Sequence, residues 1–227
     1  MNKNLKIVLK VLSWPFYFVF VLFPNWVDDM VFNLLNRKID IKLKHSFYLV
    51  NPKSGKRFGD RMMSILKKKD PTAVIIDITK ENYVERVRQR LKEDKELLYI
   101  VICGGDGTFS RISDDLKGKL DSLDRIVLIP FPIGTGNDLS RSLNLGSKMN
   151  INYIYRFFNK LKCPKSRIVQ MDTWRFNIRS LDEEGDLKAN FSVGLYLYFG
   201  IGYDAEVVYR FERLRKLYPY LLISNVS

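Results

Sequence analysis

Apolar residues fall into three textures along the chain. Residues 11–23 form an aromatic-rich apolar run broken only by Ser13 and Pro15. From residue 45 onward, short runs of nearly continuous apolar residues alternate with stretches of helical period. After about residue 167 the period becomes two, with aromatic residues at the alternate positions.

In the middle region, residues 46–50 (SFYLV), 73–78 (AVIIDI), 97–103 (LLYIVIC) and 125–130 (RIVLIP) read as strands. Residues 58–68, 82–92, 107–116 and 136–143 read as helices, and an aromatic helix follows around 153–162. Strands that are apolar on both faces and alternate with helices predict an α/β fold whose parallel sheet is covered on both sides. Residues 167–177 and 189–198 alternate instead and flank an acidic turn at 182–186, which predicts an antiparallel pair opening a β-rich second domain. A helix over 205–217 carries Val208, Phe211, Leu214 and Leu217 at helical spacing. The expected organisation is an N-terminal segment (1–44), a nucleotide-binding α/β domain (45–165) and the start of an accessory β-domain (166–227).

The N-terminal run is too short to cross a bilayer: as a helix it reaches roughly 20 Å, against about 30 Å of hydrocarbon. Its exit, Phe23-Pro24-Asn25-Trp26, has no small-x-small cleavage site. Lys3, Lys6 and Lys10 precede it; Arg37, Lys38, Lys42 and Lys44 follow. Basic residues on both flanks predict an in-plane or hairpin anchor with both ends on the cytosolic face. Residues 27–36 read as a short amphipathic helix behind it.

The net charge of +13 asks for an anionic partner, a nucleotide or an anionic lipid surface. The basic residues are dispersed and accompany no nucleic-acid motif, so nucleic acid is not expected as a partner. Two cysteines, Cys103 and Cys163, and one histidine, His45, exclude a structural zinc site and a disulfide framework. Both cysteines are expected to be buried.

The chemistry concentrates at the ends of three strands. The third runs into Gly104-Gly105-Asp106-Gly107-Thr108 and then a helix. Glycines let the backbone approach a ligand closely, and a helix N-terminus adds unpaired N–H groups and partial positive charge, which together make an anion site. Asp106 within it would repel phosphate unless a cation lies between, and Mg²⁺ is the natural mediator. The fourth strand leads to Gly134-Thr135-Gly136-Asn137-Asp138. The first leads to Asn51-Pro52-Lys53-Ser54-Gly55, followed by Lys56 and Arg57. In a parallel sheet, ligands bind beyond the carboxyl ends of the strands, so these three turns are expected to share one crevice. Ser54-Gly55-Lys56 lacks the Walker A spacing, and no HRD or DFG segment is present, which excludes a protein kinase. The Gly200-x-Gly202-x-x-Ala205 stretch lacks the acid expected about 20 residues on in a dinucleotide site; its glycines are expected to serve close backbone packing.

NPKSG, GGDGT and GTGND, in this order and spacing, resemble the catalytic domain of diacylglycerol kinases. That superfamily also includes sphingosine and ceramide kinases and, distantly, NAD kinases. The resemblance covers roughly residues 46–220 and continues through Met171-Asp172-Thr173-Trp174, Phe191-Ser192-Val193-Gly194 and Gly202-Tyr203-Asp204-Ala205. It implies a Rossmann-like domain that transfers the γ-phosphate of ATP to the hydroxyl of diacylglycerol in a membrane, giving phosphatidic acid. It further implies that Gly104, Gly105, Gly107 and Thr108 cradle phosphates, that Asp106 and Asp138 handle Mg²⁺ or orient donor groups, and that Asn51, Pro52, Ser54 and Gly55 line the nucleotide. Gly134, Thr135, Gly136 and Asn137 would complete the cradle, and Thr79 would face the nucleotide. The GTGND form, with the Asp-x-Trp and Asp-Ala segments, favours diacylglycerol over a sphingoid base.

The family's accessory domain continues further and brings back an acidic DDG-type segment as the source of the general base. This sequence carries none. The expectation is a fragment, a chain completed by a partner, or a degenerate, non-catalytic nucleotide-binding module attached to the membrane; an incomplete β-domain would expose edge strands and apolar surface that invite a homodimer.

Overall fold

The computed structural model describes residues 46–147, 151–181 and 187–217. The expected anchor, the helix at 27–36, His45, the acidic turn and the chain's last ten residues lie outside them. Among the described residues no helix is long and apolar enough to cross a membrane.

Four parallel strands form the main sheet: β1 (Ser46–Val50), β2 (Val74–Asp77), β3 (Leu98–Gly104) and β4 (Ile126–Pro132), in the order β2-β1-β3-β4. Helices α1 (Ser54–Lys69), α2 (Tyr83–Glu93) and α3 (Asp106–Lys119) link them, as parallel neighbours require. After β4 come the one-turn α4 (Asp138–Ser142) and α5 (Ile151–Lys162). Side-chain alternation sorts the sheet residues between two cores. Tyr48, Val50, Val101, Cys103 and Phe131 pack with Met62 and Leu66 of α1 and Phe157 and Phe158 of α5. Leu49, Ile100 and Ile102 pack on the other face with Val87 of α2 and Ile112 and Leu116 of α3. Each fully buried aliphatic or aromatic side chain contributes about 1.5–3 kcal/mol, and both faces are filled. This is the α/β, Rossmann-like architecture that the pattern predicts.

Element ends differ from the sequence reading for local reasons. Helix α1 begins at Ser54 rather than 58, because the Ser54 N–H already bonds the Asn51 carbonyl at 3.1 Å and the polar turn winds directly into the helix. Strand β4 continues through Pro130 to Pro132; it lies at the sheet edge, where a missing N–H costs no ladder bond. Asn82 accepts a bond from the Glu85 N–H and caps α2.

Beyond α5, strands β5 (Trp174–Leu181) and β6 (Leu187–Leu195) pair antiparallel, followed by α6 (Tyr203–Leu217). The ladder ends where Trp174 faces Leu195, so residues 196–198, expected to be strand, run on past their partner. Gly202 has φ +77° and open space around it. The bend before α6 requires this glycine, not the close packing expected of it. Cys103 is buried as expected, and burial pushes its thiol well up from the ordinary value. Cys163 is exposed, against expectation, on the turn leaving α5.

Candidate functional site

The strand order makes β1, β3 and β4 consecutive, so the three polar turns emerge side by side at one sheet edge. Hydrogen bonds join them. The Asn51 N–H bonds the Cys103 carbonyl at 3.0 Å, and the Asn51 side-chain amide donates to the Thr108 hydroxyl at 3.0 Å. Pro52 is buried under α1, where Gly59 lets the helix backbone close over it. Gly55 turns with φ +59° against the Ile133 carbonyl. Gly105 and Gly134 lie face to face: a Cβ on Gly105 would stand 3.1 Å from the Gly134 Cα, so side chains here would push the two loops apart. Gly107 faces open space at the first turn of α3, and Thr135 and Gly136 are exposed at the loop tip.

Asp106 holds the third loop. Its carboxylate accepts the N–H of Asp138 at 2.8 Å and that of Leu139 at 3.1 Å, capping α4 from a helix 32 residues earlier. Neither α1 nor α3 has a side-chain cap. The Ser54 N–H of α1 is taken by the Asn51 carbonyl; the remaining first-turn N–H groups, which have no partner within a helix, are the donors at this edge. Asn137 is in the left-handed region at φ 65°. Its side chain accepts from Gly134 N–H at 2.9 Å and donates to the carbonyls of Gly134 and Ser147, each at 2.8 Å. With its amide spent inside the loop and its surface buried, Asn137 shapes the cradle. Asp138 is half-buried; Arg141 donates to one of its oxygens at 2.5 Å and Tyr198 to the other at 3.2 Å.

Thr79 is not brought into this cluster. Its hydroxyl and its N–H both donate to Asp77, at 2.7 and 2.9 Å. Burial alone would raise the Asp77 carboxyl, but these bonds and Lys80 outweigh it and hold it below its ordinary value. The neighbouring Ile78 does reach the site. With Asn82, Tyr83, Gly107, Ser110 and Arg111 it lines an open cavity of about 660 Å³. That volume is within the range of small-molecule sites, and through Gly107 it adjoins the first turn of α3.

No group of three or more metal-binding side chains occurs among the described residues. Asp106 and Asp138 fit a Mg²⁺ that arrives with a nucleotide, since such ions take one or two carboxylates and complete their shell with phosphate oxygens and water. They do not form a cage that would hold the ion alone. The contributions of Asp114, Arg141, Tyr196 and Tyr198 have no signature in the sequence. The contact between Asp114 and Gly194 spans 80 residues.

Residues 45–161 match the family model "Diacylglycerol kinase catalytic domain". Diacylglycerol kinase 4 of Arabidopsis thaliana is 29% identical over an alignment that covers 78% of this chain and 45% of that protein. Diacylglycerol kinase iota of Mus musculus is 31% identical, with 78% and 17% covered. Probable diacylglycerol kinase 3 of Caenorhabditis elegans is 28% identical, with 75% and 22% covered. The chain thus spans less than half the length of these relatives. No solved structure matches it significantly. With the family model matched over more than half its length, this chain belongs to the diacylglycerol kinase catalytic-domain family.

Proposed function

We propose that this chain provides the ATP-binding half of a lipid kinase that transfers the γ-phosphoryl group of ATP to the hydroxyl of diacylglycerol, producing phosphatidic acid at a membrane surface. The observation that carries the reading is the junction of three polar loops at one sheet edge, tied by the Asn51–Thr108 bond and by Asp106 across the head of α4. Phosphoryl transfer asks chiefly for positioning and for stabilisation of charge on the transferring group. The uncapped first turns of α1 and α3 supply N–H donors for the phosphates, with Gly104, Gly105, Gly107 and Thr108 keeping the approach open. The cavity beside Gly107 takes the nucleoside, lined by Ile78 and Asn82; Thr79 stabilises the turn at its edge through Asp77. Pro52, Ser54 and Gly55 hold the near wall, and Gly134, Thr135, Gly136 and Asn137 the far one.

Asp106 and Asp138 face the phosphates, and bound Mg²⁺ would neutralise charge there. Asp106 has a second duty: its negative charge is balanced by the N-terminal N–H groups of α4, which lessens its repulsion of phosphate. The basic surplus and the apolar N-terminal run support work at an anionic lipid surface. Exposed apolar side chains on β5, β6 and α6, including Trp174, Phe191 and Val208, support a further contact there, such as a second copy of the chain.

The test is phosphate transfer from radiolabelled ATP to diacylglycerol in mixed micelles with Mg²⁺, using the chain and its Asp106→Ala variant, with nucleotide binding followed in parallel. Phosphatidic acid from the first and none from the second is the expected result. ATP bound by the wild-type chain without any product would overturn the catalytic reading and leave a nucleotide-binding module.

A further inference from the structure

The end of β6 is fastened to the α/β domain at two points. Asp114, on α3, accepts the Gly194 N–H at 2.7 Å and the Tyr196 hydroxyl at 3.2 Å. A Cβ on Gly194 would occupy the space of that carboxylate, so only glycine allows the strand to come this close. The Tyr196 ring stands edge-on to Phe109 of α3, with centroids 5.9 Å apart. Two residues on, past the bend that follows β6, Tyr198 donates to Asp138 at 3.2 Å. A fourth bond, from Lys117 of α3 to the Thr173 hydroxyl at 2.6 Å, ties down the approach to β5.

The two tyrosine contacts differ in kind. Tyr196 is half-buried, whereas Tyr198 is 72% exposed, so packing does not hold the Tyr198 ring. What its hydroxyl reaches is a carboxylate of the proposed phosphoryl-transfer site. Arg141 engages the other oxygen of that carboxylate, and the pair of donors fixes its rotation. We infer that Tyr198 is a positioning residue for Asp138, delivered to it by the Asp114 latch on β6. This inference rests on the role proposed for Asp138. In this arrangement the orientation of a site carboxylate depends on whether the β5–β6 hairpin is seated.

The experiment compares the chain with Tyr198→Phe, Asp138→Asn and Asp114→Asn. The readouts are kcat for phosphatidic acid formation, Kd for ATP, and ¹³Cζ-tyrosine NMR chemical shifts at one fixed pH, with the Tyr198 signal identified by its loss in Tyr198→Phe. Tyr198→Phe should lower kcat roughly tenfold, the scale of a small misplacement of a reacting group, with Kd for ATP within about twofold of wild type. The Tyr198 ¹³Cζ signal should shift in Asp138→Asn and also in Asp114→Asn, which leaves Asp138 in place and frees the strand; the latter is read by NMR alone, because Asp114 also lines the cavity assigned to the nucleoside. Wild-type kcat in Tyr198→Phe, or an unmoved Tyr198 signal in Asp114→Asn, overturns the inference. If the wild-type chain makes no phosphatidic acid, the proposed function fails and the NMR arm alone decides whether the latch exists.

Discussion

Asp106 joins an architectural role to the chemical one proposed for it. A carboxylate has about four acceptor sites, and two of Asp106's are occupied by backbone N–H groups of α4. Loss of activity on replacing it therefore reports the cradle's shape as well as its charge. Asp77 is the opposite case, a buried carboxylate whose whole environment is the turn carrying Thr79. Its folded-state value lies below the ordinary one. The bonds it accepts therefore add stability that is complete above the unfolded value and is lost as pH falls through the folded one. Thr79→Val keeps the backbone bond and removes the hydroxyl bond. It should cost about 1 kcal/mol in urea unfolding at pH 7, and the gap from wild type should narrow as pH falls below the ordinary carboxyl range and close only below the depressed folded value. An undiminished gap at pH 3 would show that the Thr79 hydroxyl matters for packing rather than for the charge.

At the level of elements, the cradle is a contact between loops, and Asn137 is its internal brace. Three side-chain hydrogen bonds close the loop after β4 on itself and onto Ser147, while Gly105 and Gly134 set how near the two glycine loops come. Asn137→Ala removes those bonds and leaves the Gly134 and Ser147 groups unpaired in a buried place. Each unpaired buried group costs about 1–3 kcal/mol, so a loss of roughly 2–4 kcal/mol in stability is expected, with weaker ATP binding as the loop relaxes. A variant that unfolds at the wild-type urea concentration and binds ATP normally would remove Asn137 from the design of the site.

For the whole molecule, a filled two-sided core contrasts with a C-terminal region whose large apolar side chains stand open. Trp174 is 73% exposed and Tyr203 83%, and such surfaces mark places where something else docks. The basic surplus adds attraction toward anionic lipid, worth about 1 kcal/mol for each Lys or Arg near the surface. Deletion of residues 1–44 removes the apolar run and seven of the flanking basic residues. The shortened chain should float less with liposomes containing phosphatidylserine, and its remaining binding should be more sensitive to salt. Equal flotation at high salt would place the membrane contact elsewhere, with the exposed face of β5, β6 and α6 the next surface to test.

The alternation of apolar runs and helical period determined the α/β class, the parallel sheet and the sequence of its elements. These follow from local rules: a strand buried on both faces must be apolar throughout, and a covering helix must carry an apolar stripe. The glycine and acid content of the three turns pointed to the sheet edge proposed for the chemistry, because ligands of such sheets bind at the strands' carboxyl ends. What each polar side chain does was decided only by the tertiary structure. Asp106 caps a helix 32 residues away, Thr79 turns to Asp77, Asn137 closes its own loop, and Asp114 and Asp138 receive tyrosines from the segment after β6, 60 to 82 residues later. Hydrogen-bond partners are chosen by proximity after the sheet order and the hairpin's seat are set. Proximity between residues so far apart in sequence leaves no periodic trace in the chain.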